Sequence, residues 1–189
     1  MIIGYDDGLI KVWNITQQKF METIEQHKRR ITTMSCKRNE ILSSSIDGTI
    51  GIYDVAKKEE RYLIDLNKPI TNCKYVPNGK MLLVSIEDGD AFFYKLENGS
   101  KSQHFYQFNK SMRNSPFDFL TDTREGQFMK KFVVNAGGDA INFWSVETMK
   151  CIKRLETNNI PITALACHPT EMFLITGGDL SDTSIKLWK

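Results

Sequence analysis

The stretch Asp47-Gly48-Thr49-Ile50-Gly51-Ile52-Tyr53 decides how this chain folds. Asp-Gly signals a tight hairpin, because Gly accepts positive φ and the Asp side chain bonds nearby backbone amides. The residues after it alternate with period two, which puts Ile50 and Ile52 on one face of a strand and Tyr53 on the other. The stretch therefore reads as a turn feeding an aromatic-tipped strand. Four more copies follow the same pattern: Asp7-Gly8-Leu9-Ile10-Lys11-Val12-Trp13, Asp88-Gly89-Asp90-Ala91-Phe92-Phe93-Tyr94, Gly138-Asp139-Ala140-Ile141-Asn142-Phe143-Trp144 and Asp182-Thr183-Ser184-Ile185-Lys186-Leu187-Trp188. The tips Trp13, Tyr53, Tyr94, Trp144 and Trp188 are 40, 41, 50 and 44 residues apart. A period of this length means one supersecondary unit per repeat, each burying its apolar faces against its neighbours.

Between the copies lie further β-rich runs bounded by turn residues. The second unit reads as strands at Arg30–Lys37, Ile41–Ser45, Thr49–Asp54 and Arg61–Asp65. The third runs from Ile70 to Phe108 with a first turn at Pro77-Asn78-Gly79. The fourth runs from Phe117 to Leu155, with Lys110–Pro116 as extra residues on the connection into it. The fifth has strands at Ile162–Cys167, Phe173–Gly177 and Ser184–Trp188. No segment carries a helical period, so the fold class is all-β.

Composition sets the outer limits. The chain has 189 residues, 41% hydrophobic and 25% charged, which is enough apolar material for a packed core. Lys and Arg exceed Asp and Glu by only 25 to 23, so the global field calls for neither nucleic acid nor an acidic membrane. The longest apolar runs are strand-sized. Met1–Gly4 leads straight into Asp6 and Asp7 without the pattern of a signal peptide, which points to the cytoplasm or nucleus. Cys36, Cys73, Cys151 and Cys167 contain no C-x-x-C pair and read as small buried hydrophobes. No cofactor, metal or small-molecule substrate is expected.

The repeat resembles the WD40 family, whose four-stranded blades recur with this period. That resemblance implies a WD40 β-propeller with three complete and two partial blades, at approximately 1–26, 29–66, 69–109, 115–158 and 161–189. The ring would be incomplete: part of a longer propeller or, alternatively, closed by self-association or a partner chain. It also implies a structural tetrad, for which His27, Ser43, Ser45, Asp47 and Tyr53 are the candidates. His, Ser and Asp together look like a hydrolase triad as well, but the resemblance implies an imidazole buried to lock a turn, with no oxyanion site or substrate pocket, so the expectation is a structural lock in a protein that is not an enzyme. The turn aspartates Asp7, Asp47, Asp88, Asp139 and Asp182 have the same structural role.

Two WD40 subfamilies are similar along most of the chain. The mitogen-activated protein kinase organizer, a scaffold, resembles it at Asn39-Glu40-Ile41-Leu42, Asp47-Gly48, Tyr53-Asp54, Pro69-Ile70-Thr71, Asn78-Gly79 and His168-Pro169-Thr170-Glu171. The WD-repeat core subunit of histone-lysine methyltransferase complexes is similar at Ala166–Glu171 and Ser184–Lys189. The first implies a platform for kinase-cascade components or a spliceosome-associated assembly. The second implies a reader that grips an arginine between aromatic rings, with Phe117 and Phe119 as candidates. Both imply protein partners. Lys28-Arg29-Arg30, the one compact basic cluster, reads as a solvated loop or as a site for an acidic partner. Phe92, Phe93, Phe105, Tyr106, Phe117 and Phe119 form an aromatic-rich middle, of which alternation sends about half inward and leaves the rest for contacts.

Overall fold

The computed structural model describes residues 1–77, 79–97, 100–105, 116–122, 130–137, 140–157, 161–178 and 182–189. Those residues form eighteen strands and no helix. Strands β1 (Ile2–Gly4), β2 (Ile10–Asn14) and β3 (Lys19–Ile24) make one sheet. Next come β4 (Ile31–Lys37), β5 (Glu40–Ser45), β6 (Thr49–Asp54) and β7 (Glu59–Asp65), then β8 (Ile70–Tyr75), β9 (Met81–Ile86), β10 (Ala91–Lys95) and β11 (Ser100–Phe105). A fourth sheet holds β12 (Phe117–Asp122), β13 (Lys130–Gly137), β14 (Ala140–Ser145) and β15 (Cys151–Glu156). The last holds β16 (Ile162–Cys167), β17 (Leu174–Gly178) and β18 (Ile185–Trp188). In every sheet the strands are hydrogen-bonded in chain order.

The turns explain why each copy of the repeat becomes a hairpin. Gly8, Gly48 and Gly89 all have φ near +90°, a region closed to other residues without strain. The preceding carboxylate caps the turn: Asp7 Oδ1 accepts from Leu9 N–H, Asp47 Oδ1 from Thr49 N–H, and Asp182 Oδ1 from Ser184 N–H, at 2.8 to 3.0 Å. Asp88 sits in the corresponding turn, whereas Asp139 lies outside the described residues. Opposite the aromatic-tipped strand, the outer strand supplies an aliphatic residue at one fixed place: Ile10 faces Ile24, Ile50 faces Ile64 and Ile141 faces Leu155. A β-bulge follows just before the tip, between Val12 and Trp13, Ile52 and Tyr53, and Phe143 and Trp144.

The chain divides into two compact units, Met1–Tyr75 with Val84–Glu87, and Val76–Leu83 with Asp88–Lys189. In the first, Ile10, Val12, Ile24 and Ile41 form a core with Ile2, Ile31, Met34, Tyr53 and Val55 against it. In the second, Leu120, Val134, Ala136 and Ile141 of the fourth sheet pack on Ile162, Leu165 and Leu174 of the last. A further cluster joins Val76, Leu83, Ala91, Phe93, Phe117, Val133 and Trp144.

These clusters correct the expected sharing-out of aromatics. Phe92 and Phe93 are adjacent in β10, yet both are buried, at 2% and 0% exposure. Alternation exposes one face of a strand only where that face meets water, and β10 is covered on both. Phe117, proposed from sequence as a partner contact, is 0% exposed within its cluster, and Phe119 is half-buried against the same group. Tyr106 lies outside the described residues. The cysteines also divide: Cys73 is buried, and burial pushes its thiol up, but Cys36 and Cys151 are exposed rather than core residues. Truncating Phe117→Ala should lower unfolding free energy by about 3–5 kcal/mol in urea denaturation. Leu63→Ser, at a 49% exposed position, should change it by no more than about 0.5 kcal/mol.

Candidate functional site

His27 enters from the loop between β3 and β4 and is buried. Its Nε2 lies 2.8 Å from Ser43 Oγ on β5, and its Nδ1 lies 2.5 Å from Thr49 Oγ1 at the start of β6. Thr49 Oγ1 in turn donates to Asp47 Oδ1 at 2.5 Å. Because that hydroxyl spends its proton on the carboxylate, it accepts from the ring, so Nδ1 carries a proton, and burial, which lowers the ring's pKa, favours the neutral form with Nε2 bare. Ser43 then donates to Nε2. The order of the chain is Ser43, His27, Thr49, Asp47.

This arrangement departs from the sequence-based set in three ways. Thr49, not singled out in advance, bridges imidazole and carboxylate, which are 3.9 Å apart. The available signal was a hydroxyl residue two places beyond the turn aspartate. Ser45 lies outside the chain: its Oγ accepts from Asp47 N–H at 3.1 Å and donates to the Arg29 carbonyl at 2.9 Å. Tyr53 is also elsewhere, donating its hydroxyl to Glu22 at 3.3 Å. In a hydrolase triad the carboxylate holds the imidazole directly and the serine faces substrate. Here a threonine stands between them and Ser43 is 0% exposed.

The electrostatics agree with a locked turn. Burial lowers the His27 pKa and outweighs the Asp47 and Glu60 carboxylates that raise it. Burial works to raise Asp47, but hydrogen bonds from the Thr49 side chain and from Lys28 and Thr49 N–H prevail and hold it below the usual carboxylate range. Asp182 is held down at about 2 by hydrogen bonds from Lys186 and Ser184. Gln26 donates to Glu60 at 3.2 Å and lies across Gly51. A Cβ on Gly51 would sit 2.6 Å from Gln26 Oε1, so a larger residue here would have to push the Gln26 amide aside.

The place occupied by Ser43 recurs. It is the residue paired with the one two before the aromatic tip: Ser43 with Gly51, Asn135 with Asn142, Thr176 with Lys186 and Ile3 with Lys11. Where the tip is Trp and this residue is polar, the indole donates to it: Trp144 Nε1 to Asn135 at 2.7 Å and Trp188 Nε1 to Thr176 at 2.9 Å. Where Ile3 takes the place, Trp13 Nε1 is buried without a partner. In the third copy, counting back from Asp88-Gly89 puts Val84 there, and the tip is Tyr94, which has no indole to satisfy. His168, by contrast, caps its own turn, its Nδ1 accepting from Glu171 N–H at 3.0 Å and its ring lying 4.4 Å from that of Phe173. Lys28, Arg29 and Arg30 are exposed.

Two measurements check this account. Replacing Asn135→Leu strands the buried Trp144 indole and should cost about 1–3 kcal/mol in chemical denaturation. Between the lowered folded pKa of His27 and its unfolded value of about 6.5, the unfolded chain binds more protons, so stability rises with pH. The His27 contribution is complete above that unfolded value and is lost as pH falls through the folded one. Asp47, also lowered, loses its share only at lower pH. Thermal unfolding followed from neutral to acid pH should show this slope in the wild type and lose it in His27→Gln.

Comparison with known proteins completes the picture. The family model described as "WD domain, G-beta repeat" matches residues 18–54 and 149–189. The p21-activated protein kinase-interacting protein 1-like of Gallus gallus is 24% identical over 100% of this chain and 48% of its own length. The WD repeat-containing protein 55 homolog of Dictyostelium discoideum is 23% identical over 98% of this chain and 43% of its own length. The chain thus spans about half the length of the curated relatives it matches. Among solved structures, a chain of a mitotic checkpoint complex superposes with a TM-score of 0.77 at 15% identity, covering 100% of this chain and 59% of that one. With aspartate-capped hairpins and aromatic-tipped strands recurring from sheet to sheet, the chain has an all-β fold of the propeller class, and two of its stretches match the WD40 repeat.

Proposed function

We propose that this chain is a non-catalytic scaffold that binds other proteins. The observation that carries the reading is the closure of the His27 chain. Both ring nitrogens, the Thr49 hydroxyl and the Asp47 carboxylate have internal partners, so this hydrolase-like set of side chains serves to lock a turn. Large apolar side chains stand exposed on the outer strands instead: Phe20 and Met21 on β3, Tyr62 and Leu63 on β7, and Ile152 on β15. Side chains of this kind suit protein contacts.

The finer reading is association with a protein kinase, in the cytoplasm or nucleus. It is supported by a relative whose name records interaction with p21-activated protein kinase and by the resemblance to a kinase-cascade organizer. Spliceosome association has only the resemblance behind it. The reading as an arginine-tail reader loses its aromatic candidates, since Phe117 is core and Phe119 packs on that core. The immobilised chain should bind a purified p21-activated kinase saturably, and affinity capture should recover protein partners in stable proportion. Absence of the kinase among them removes the finer reading. Hydrolytic turnover that His27→Ala abolishes without unfolding the chain would overturn the scaffold itself.

A further inference from the structure

The loop that buries His27 continues through Lys28, Arg29 and Arg30, whose side chains are all exposed. Its backbone is held from several sides. Lys28 N–H donates to Asp47 Oδ2 at 2.6 Å, the Arg29 carbonyl accepts from Ser45 Oγ at 2.9 Å, and the Arg30 carbonyl accepts from Ile46 N–H at 3.1 Å. The Asp7-Gly8 turn closes against it so tightly that a Cβ on Gly8 would lie 2.5 Å from the His27 carbonyl oxygen and 3.0 Å from Arg29 N. Ile31 N–H, just beyond, donates to the Tyr5 carbonyl at 3.2 Å. Three cations therefore project from a backbone with little freedom left to lose.

Asp47 supports this loop and does not neutralise it. Its Oδ2 holds Lys28 N–H and its Oδ1 holds Thr49 N–H and Oγ1. Among the described residues, neither the Arg29 nor the Arg30 guanidinium has an ion pair or hydrogen bond.

Resting on the protein-binding reading above, we propose that Lys28, Arg29 and Arg30 form a preorganised docking site for a short acidic segment of a partner protein. Its carboxylate or phosphate groups would pair with the guanidinium forks, which match such oxygens two at a time. Ordering the backbone in advance leaves only side chains to be fixed on binding. A nucleic acid is disfavoured, because a polyanion needs a longer basic track. Here the adjoining turn presents the exposed carboxylates of Asp6 and Asp7, and the whole chain carries only +2.

Fluorescence anisotropy with the full chain tests the site, using a labelled peptide of alternating Glu and Ser, its phosphoserine counterpart, its Gln counterpart and a short oligouridine. One or both acidic peptides should bind, the Gln peptide should not, and which acidic peptide binds tighter separates carboxylate from phosphate recognition. Reversing charge with Arg29→Glu and Arg30→Glu together should weaken binding by about tenfold or more. Asp47→Asn makes the chain more positive yet unties the loop. Preorganisation predicts weaker binding in that variant, whereas simple charge attraction predicts tighter. Ser45→Ala removes one tie without altering charge and should also weaken binding, which keeps the test decisive if Asp47→Asn unfolds. The proposal is overturned if charge reversal leaves affinity within about twofold, if untying the loop strengthens it, if oligouridine outcompetes the peptides, or if neither acidic peptide binds. Partners captured equally by wild type and the doubly reversed variant would remove this site and leave the scaffold reading standing; capture of none by either would remove both.

Discussion

Burial of one aliphatic position, three residues before each aromatic tip, is the constraint on which the rest of this structure depends. Ile10, Ile50, Ala91 and Ile141 occupy it, and each is 0% exposed. A central strand has one face toward each neighbouring layer, so a residue here loses all its water and, for the isoleucines, contributes about 1.5–3 kcal/mol. The hairpin turn presets the register that delivers it there, and the outer strand meets it with Ile24, Ile64 or Leu155. In the last copy the same position, Ile185, is 78% exposed. The position is thus apolar in every copy, but its contribution depends on what lies over it.

Polar groups vary around that constant. Three copies meet the same requirement, that a buried donor find an acceptor: Ser43 pairs with His27, and Asn135 and Thr176 accept from tryptophan indoles. In the third copy Val84 accompanies Tyr94, which has no indole. The first copy departs from the rule, with Ile3 leaving the Trp13 indole unpaired. The fold therefore rests on apolar burial and turn geometry, and the hydrogen-bonded chain of the second sheet is an addition to it.

That addition organises the surface. The Asp47 carboxylate that ends the His27 chain also holds Lys28 N–H, and Ser45 beside it holds the Arg29 carbonyl. A residue set that resembles a catalytic triad in composition instead gives shape to a loop. In a chain whose net charge is small, fixed placement of a few cations carries more information than total charge.

Much of this was legible in the residues alone. Asp-Gly turns, period-two alternation and recurring aromatic tips reveal strand order and repeat length, because both follow from local backbone chemistry that neighbours do not alter. Even Asp47 and His27 could be paired in advance as parts of one lock. Which hydroxyl stands between them could not: Thr49, Ser43 and Ser45 are chemically alike in sequence, and only the register of β5 against β6 and the path of the loop select among them. The fates of Phe92, Phe93 and Phe117 were hidden for the same reason. Alternation tells which face a side chain occupies, but whether that face meets water or another layer is decided by packing between segments far apart in the chain, a tertiary property that no local pattern encodes.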